Sequence, residues 1–163
     1  MRQLDPKTLT DNVFRLFDDR WTLITAGDRE RCNTMTASWG GLGVLWNRPV
    51  ATIYVRPQRY TYEFLEDKVD FTLSFFGEDQ RENLAYCGSA SGREEDKFAA
   101  CGYHPVFYGD APYIAEAELV LVCRKIYWDD LEPAHMDESA AEFYKDHDYH
   151  RMYLGEIVTV LTK

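Results

Sequence analysis

Several short runs of this chain alternate between polar and apolar residues with a period of two, the pattern of strands whose two faces differ. The first run is Trp21–Thr25, preceded by a short apolar element at Val13–Phe17. Ala26-Gly27-Asp28 then supply a turn, with Gly27 for a positive φ and Asp28 for a local side-chain bond. A hairpin into Thr34–Trp39 is the simplest continuation. Within it Thr34, Thr36 and Ser38 alternate with Met35, Ala37 and Trp39, so one face carries hydroxyls and the other a thioether, a methyl and an indole. Gly40, Gly41 and Gly43 follow, where backbone can approach a neighbour closely. Trp46-Asn47-Arg48-Pro49 turns the chain into the β-branched strand Val50–Val55.

Phe71–Phe76, Ala115–Tyr127 and Tyr153–Leu161 bring the expected count to about six strands. In the longest, Ala117, Leu119, Leu121 and Cys123 lie on one side, opposite Glu118, Val120, Val122 and Arg124, and Asp129–Glu132 breaks it. Helices are predicted from an N-cap at Thr61 to about Asp67–Lys68, and over Asp79–Tyr86. Further short helical pieces are expected over Glu94–Ala100 and Ser139–Lys145, with Gly88–Gly92 as a flexible loop. The helices do not alternate regularly with strands, which argues against a doubly wound sheet. The expectation is a mainly β (α+β) single domain, a barrel with short peripheral helices.

Composition narrows the function classes. The chain has 163 residues, enough for one core, and 45% hydrophobic content marks it as globular. A net charge of -10 and the lack of any basic block make nucleic acid or an anionic membrane surface unexpected as partners. No apolar run reaches the roughly 18–20 residues a membrane span needs. The N-terminal residues lack the apolar core of a secretion signal, so a cytoplasmic location is expected. Cysteines at 32, 87, 101 and 123 match neither a zinc cluster nor a disulfide framework and read as reduced, mostly buried thiols. Cys87, beside Gly88, is the one whose sulfur is expected near a ligand.

The densest chemistry lies at Arg56-Pro57-Gln58-Arg59-Tyr60-Thr61. Arg56 and Arg59 can each donate in a planar fork, and Thr61 offers a hydroxyl beside the free N–H groups of a helix start. That is the chemistry of a phosphomonoester site. Together with the strand of alternating hydroxyls it suits a ligand with a phosphate, a polyol stem and a flat heterocycle, and flavin mononucleotide (FMN) has that shape. No G-x-G-x-x-G or G-K-[ST] phosphate motif is present.

The runs N-T-M-T-A-S-W-G-G-L-G, R-P-Q-R-Y-T-Y-E-F-L-E and C-G-S-A-S-G-R-E-E-D-K-F, in this order and spacing, resemble the flavin reductase-like, FMN-binding split-barrel family, its flavoredoxin-like branch in particular. The likeness extends from Val13 to the H-R-M-Y-L-G-E-I-V segment that begins at His150. It implies that Thr34, Met35, Thr36, Ala37, Ser38 and Trp39 run along the flavin ring and its ribityl chain. It further implies that Arg56, Arg59 and Thr61 hold the phosphate with Tyr60 close by. Cys87, Gly88 and Ser89 would then approach from a second side, and Lys97 would add charge near the phosphate. A homodimer, an NAD(P)H donor and a small-molecule or protein electron acceptor are implied as well, with His150 as the side chain expected at the reacting face. An FMN-holding carrier or sensor without turnover is the main alternative. A metal-dependent hydrolase built on His135, Asp137, His147, Asp148 and His150 is the other, and a metal there would need a further pinned ligand and a second shell.

Overall fold

The computed structural model describes residues 1–163. Ten strands and three short α-helices follow one another in the order β1 (Arg2–Leu4), β2 (Thr22–Gly27), β3 (Cys32–Ala37), β4 (Gly40–Leu45), β5 (Arg48–Val55), α1 (Tyr60–Asp67), β6 (Asp70–Phe75), α2 (Arg81–Ser89), α3 (Lys97–Cys101), β7 (Pro105–Tyr108), β8 (Ala111–Ile114), β9 (Leu119–Asp130) and β10 (Arg151–Thr162). The apolar element before β2 is a π-helical turn, Arg15–Arg20, that buries Leu16 and Phe17. No helix is long and apolar enough to cross a membrane.

Eight strands form one antiparallel sheet in the order β3-β2-β6-β9-β10-β5-β4, with β1 added on β10. Laid flat, six spacings of about 4.8 Å would separate the two outer strands by about 29 Å. Yet only Ser38 and Trp39 join β3 to β4. Three residue steps, Ala37 to Gly40, span at most about 11 Å. The sheet therefore curls until its edges face each other at Ser38–Trp39: a split barrel, its seam closed by two residues.

Inside the barrel lie Phe17, Ile24, Ile53, Phe71, Phe75, Leu121, Cys123 and Tyr153, among others. A second core, with Leu23, Phe76, Leu84, Cys87, Tyr103, Ile114, Val120 and Val122, fills the space between the outer face and α2, α3 and the β7–β8 hairpin. This explains the reading of the longest strand. Leu119, Leu121 and Cys123 enter the barrel, whereas Val120 and Val122 enter the outer core, so both faces are apolar. The strand begins later than predicted and continues through Asp130, because β10 pairs with it as far as Arg151↔Asp130.

Four strands were not expected from sequence: β1, β4, β7 and β8. Glycines make β4 a poor strand in isolation, and its register comes from β5 through a tight turn with Trp46 and Asn47 both at positive φ (49° and 59°). The β2–β3 turn is as predicted, with Gly27 at φ 133° and the Asp28 carboxylate accepting from the Glu30 and Arg31 amides. The helix expected over Ser139–Lys145 is a 3₁₀ turn, Glu138–Phe143.

Gly155 marks the tightest point of β10, beside a register shift against β9. A Cβ there would sit 2.6 Å from the Phe71 ring and 2.8 Å from Cys123 Cβ. Gly155→Ala is expected to cost about 1–3 kcal/mol by overpacking, lowering Tm by about 2–4 °C for each kcal/mol. Thermal and urea unfolding measure this; unchanged stability would show that Phe71 has room to move.

Candidate functional site

Strand β3 has a partner, β2, on one side only, so part of its backbone is left without a ladder. Helices α1, α2 and α3 all pack against it. Along its free side run two clefts of about 200 and 190 Å³ that share Met35 and Arg59 and together make one trough. The first is bounded by Met35, Thr36, Ala37, Ser38 and Trp39, by Tyr54 and Arg56 from the end of β5, and by Arg59 and His150. The second is bounded by Tyr60 and Thr61 of α1, by Ser89 at the end of α2 and Ala90 to Gly92 after it, and by Lys97 at the start of α3, besides Gln58 and the shared pair.

The second cleft is its cationic end. Arg59 Nη1 donates to the Gly88 carbonyl (2.7 Å), and Lys97 Nζ to the Cys87 carbonyl (3.3 Å). Lys97 is 3% exposed, and burial pulls its pKa down to about 8. Burial also lowers the pKa of Arg59. Neither cation pairs with a carboxylate, so each keeps its field for whatever enters. Helix α1 is capped two residues earlier than predicted: Arg59, in extended conformation, is its N-cap, and no side chain caps it. Thr61 is not the cap. It is buried in the first turn, and its hydroxyl accepts from Asn33 Nδ2 (2.8 Å). The uncapped first-turn amides of Tyr60 and Thr61 leave unsatisfied donors at this end.

Arg56 lies elsewhere. Its guanidinium donates to the Asp148 carboxylate and to the Phe143 carbonyl (2.8 Å), while Gln58 Nε2 donates to the same carboxylate oxygen (2.5 Å). The Arg56 and Gln58 bonds hold the Asp148 carboxyl below the usual carboxylate range. The two arginines thus serve different ends: Arg59 borders both clefts, Arg56 only the first.

Two hydroxyls of β3 are bonded within the protein. Thr34 is fully buried, with its Oγ1 3.0 Å from that of Thr25 and bonded to the Ile24 carbonyl. Thr36 donates to the Leu84 carbonyl of α2 (2.5 Å). Thr34 borders neither cleft, whereas Thr36 and Ser38 border the first, so the trough meets Met35, Ala37 and two of the three hydroxyl residues. Cys87 does not approach it either. Cys87, Gly88 and Ser89 form the last turn of α2, where a flexible loop was expected from Gly88 onward, and the Cys87 thiol points into the outer core. From that turn Ser89 reaches the trough, while Gly88 contributes its carbonyl to Arg59.

At the aromatic end His150 is 8% exposed, with Nδ1 2.8 Å from the Tyr144 hydroxyl and its ring 5.2 Å from that of Trp39. Phe143 meets Trp39 edge to face at 5.4 Å. Burial, reinforced by the Arg56 charge, lowers the His150 pKa to about 4, so the imidazole is neutral at neutral pH. His135 and His147 are exposed, and no group of three or more His, Cys, Asp or Glu is arranged to hold a metal ion. Sequence reading passed over Tyr54, Tyr144 and Asn33. Tyr54 had a signal, as the one phenol in the apolar run Val50–Val55; Tyr144 and Asn33 had none, since long-range packing places them.

An antiparallel split barrel with a trough along one free strand, cationic at one end and aromatic at the other, defines the class. The chain belongs to the flavin reductase like domain family, whose model matches residues 14–163. That membership ties it to flavin-linked redox chemistry. Among solved structures it is similar to a flavoredoxin from Methanosarcina acetivorans (22% identity, TM-score 0.70, covering 100% of this chain and 75% of that one). It is likewise similar to the flavoredoxin of Desulfovibrio vulgaris (Miyazaki F) (26% identity, TM-score 0.70, covering 100% and 76%). A third likeness is to an NADH:FAD oxidoreductase of Streptomyces globisporus C-1027, solved in complex with NAD and FAD fragments (21% identity, TM-score 0.66, covering 88% and 74%). No curated protein matches the chain.

The His150 pKa gives a test of the aromatic end. Its ring signal in NMR is expected to titrate near pH 4 and to stay flat from pH 5.5 to 8; a midpoint above 6 would mean a solvated ring. In the unfolded chain the imidazole takes its proton at about 6.5. The unfolded state therefore binds more protons between the two values, and this residue's contribution to stability is lost as pH falls from about 6.5 to about 4.

Proposed function

We propose that the protein holds FMN along β3 and passes electrons from NAD(P)H to a second acceptor. The observation that carries this reading is a pair of cations without carboxylate partners, the half-buried Arg59 and the buried Lys97, at one end of a trough in a chain of net charge -10. Fixed positive charge and uncapped helix amides suit a phosphomonoester, and the trough continues toward Trp39 and His150 in a direction a flat ring can follow. The donor set fits FMN.

Bound flavin would supply the capacity to accept a pair of electrons and release them to another substrate. The protein's share is positional. Arg59, Lys97 and the first-turn amides of α1 hold the phosphate. The free backbone of β3 from Met35 to Ala37, and of Ser38 after it, would line the ring with N–H and carbonyl groups of fixed direction. Trp39, Phe143 and His150 keep water from the aromatic end, and a neutral His150 offers a hydrogen bond without adding charge. The nicotinamide donor is supported by the oxidoreductase likeness. A homodimer belongs to the same reading.

Adding FMN to the purified protein should produce a bound flavin spectrum, and anaerobic NADH or NADPH should bleach it. Bound flavin that bleaches only by photoreduction would favour a carrier; absence of flavin binding would overturn the reading. Arg59→Ala is expected to weaken FMN binding by about 1.5–3 kcal/mol, roughly ten- to 150-fold, with Arg56→Ala costing less because its donors are engaged by Asp148 and Phe143. Titration followed by flavin fluorescence measures both.

Lys97 adds a pH signature. It carries its charge below about 8, so FMN affinity should hold up to that pH and fall as pH rises through it. Lys97→Met should bind more weakly with a flat profile between pH 7 and 9.5; a wild-type slope in that variant would exclude Lys97 as the cause.

A further inference from the structure

We propose that Cys87 and Cys101 form a peroxide-sensitive dithiol behind the cationic end of the trough, whose closure to a disulfide weakens FMN binding. The consequence for FMN rests on the function proposed above; the dithiol itself does not.

The two sulfurs lie 3.7 Å apart. Cys87 is fully buried in the last turn of α2, whereas Cys101, the last residue of α3, is half-buried. These are the two helices that build the cationic end. The Cys87 carbonyl accepts from Lys97, which begins α3, and the neighbouring Gly88 carbonyl accepts from Arg59. A disulfide needs its sulfurs about 2 Å apart. Closing the gap draws the end of α3 toward the end of α2, and with it the anchors of both cations.

The half-exposed Cys101 reacts first. Its sulfur attacks one peroxide oxygen, an S–O bond forms as the O–O bond breaks, and the first water leaves. The Cys87 sulfur then displaces hydroxide from the Cys101 sulfenic acid; the hydroxide takes the Cys87 proton and leaves as the second water. Two thiols have lost two electrons and two protons, and one hydrogen peroxide has become two waters. Peroxide of this kind arises wherever a reduced flavin meets dioxygen. Burial raises the pKa of both thiols, to about 12 for Cys87, so the reaction is slow and responds to sustained oxidant.

The test exposes the full-length protein to hydrogen peroxide and follows intact mass, thiols titrated after denaturation, disulfide peptide mapping and FMN titration. The expected product is lighter by two hydrogens, has two free thiols in place of four, and carries a Cys87–Cys101 linked peptide. Its FMN dissociation constant should rise about tenfold and recover with dithiothreitol. Cys101→Ser, with Cys101→Ala as a second variant, should keep its FMN affinity through the same exposure. A different pairing, oxidation confined to Cys32, or a mapped disulfide with unchanged FMN affinity would overturn the proposal. Should the reduced protein take up no FMN at all, the functional reading fails, and mass and mapping still decide the dithiol.

Discussion

A sheet rolled up from antiparallel strands can close completely only if its two outer strands pair, and here they do not. β3 and β4 are joined by Ser38 and Trp39 but share no ladder, so the barrel stays split along that line. An unpaired edge buried without partners is costly, because every free N–H and carbonyl that loses water must find another partner. Lining a ligand trough is one way to use such an edge. The features of the site follow: backbone groups along β3, an aromatic closure where the seam is crossed, and helices α1, α2 and α3 packed around the strand.

The strands that follow β3 around the barrel obey another constraint. β2, β6 and the first half of β9 are buried on both faces, because the barrel interior lies on one side and the bracket of α2, α3 and the β7–β8 hairpin on the other. Such strands cannot shift without disturbing two cores at once. β3 hangs on this rigid block through β2, and α2 joins it through the Thr36 hydroxyl and the Leu84 carbonyl. The trough thus has one fixed wall, β3, and a second built from the shorter α2 and α3.

Where burial follows directly from local pattern, the fold was legible in the residues. Val50–Val55, Phe71–Phe76 and Tyr153–Leu161 read as strands and are strands. The Gly27-Asp28 turn was legible because its chemistry is local. The glycine-rich β4 was not, since its pairing is imposed by the β5 hairpin and by barrel curvature, neither of which leaves a trace in propensity. In the trough, Arg59 and Lys97 carried charge that stands out against an acidic chain, and the structure brings them to one cleft. Thr34 and Cys87 misled for a common reason. Alternation tells which residues share a face and says nothing of which face meets a ligand; here the Thr34 hydroxyl meets β2, Thr36 bonds α2 while still bordering the trough, and the Cys87 thiol meets the outer core.

The placing of charge follows from the same economy. Arg56, next to the aromatic end, is matched by Asp148, so this end carries little net field, and His150 beside it is kept neutral by burial. Arg59 and Lys97 are satisfied only by carbonyl oxygens, which accept their hydrogen bonds and leave the charge uncancelled. A backbone carbonyl holds a cation in place at lower electrostatic cost to an incoming anion than a carboxylate would. The trough is therefore polarised along β3, positive where α1 begins and close to neutral where the seam is crossed. A ligand with an anionic tail and a flat uncharged head has one favourable orientation in it, the head toward Trp39. That polarity is set before any ligand arrives, by carbonyls at Cys87 and Gly88 and one carboxylate at Asp148.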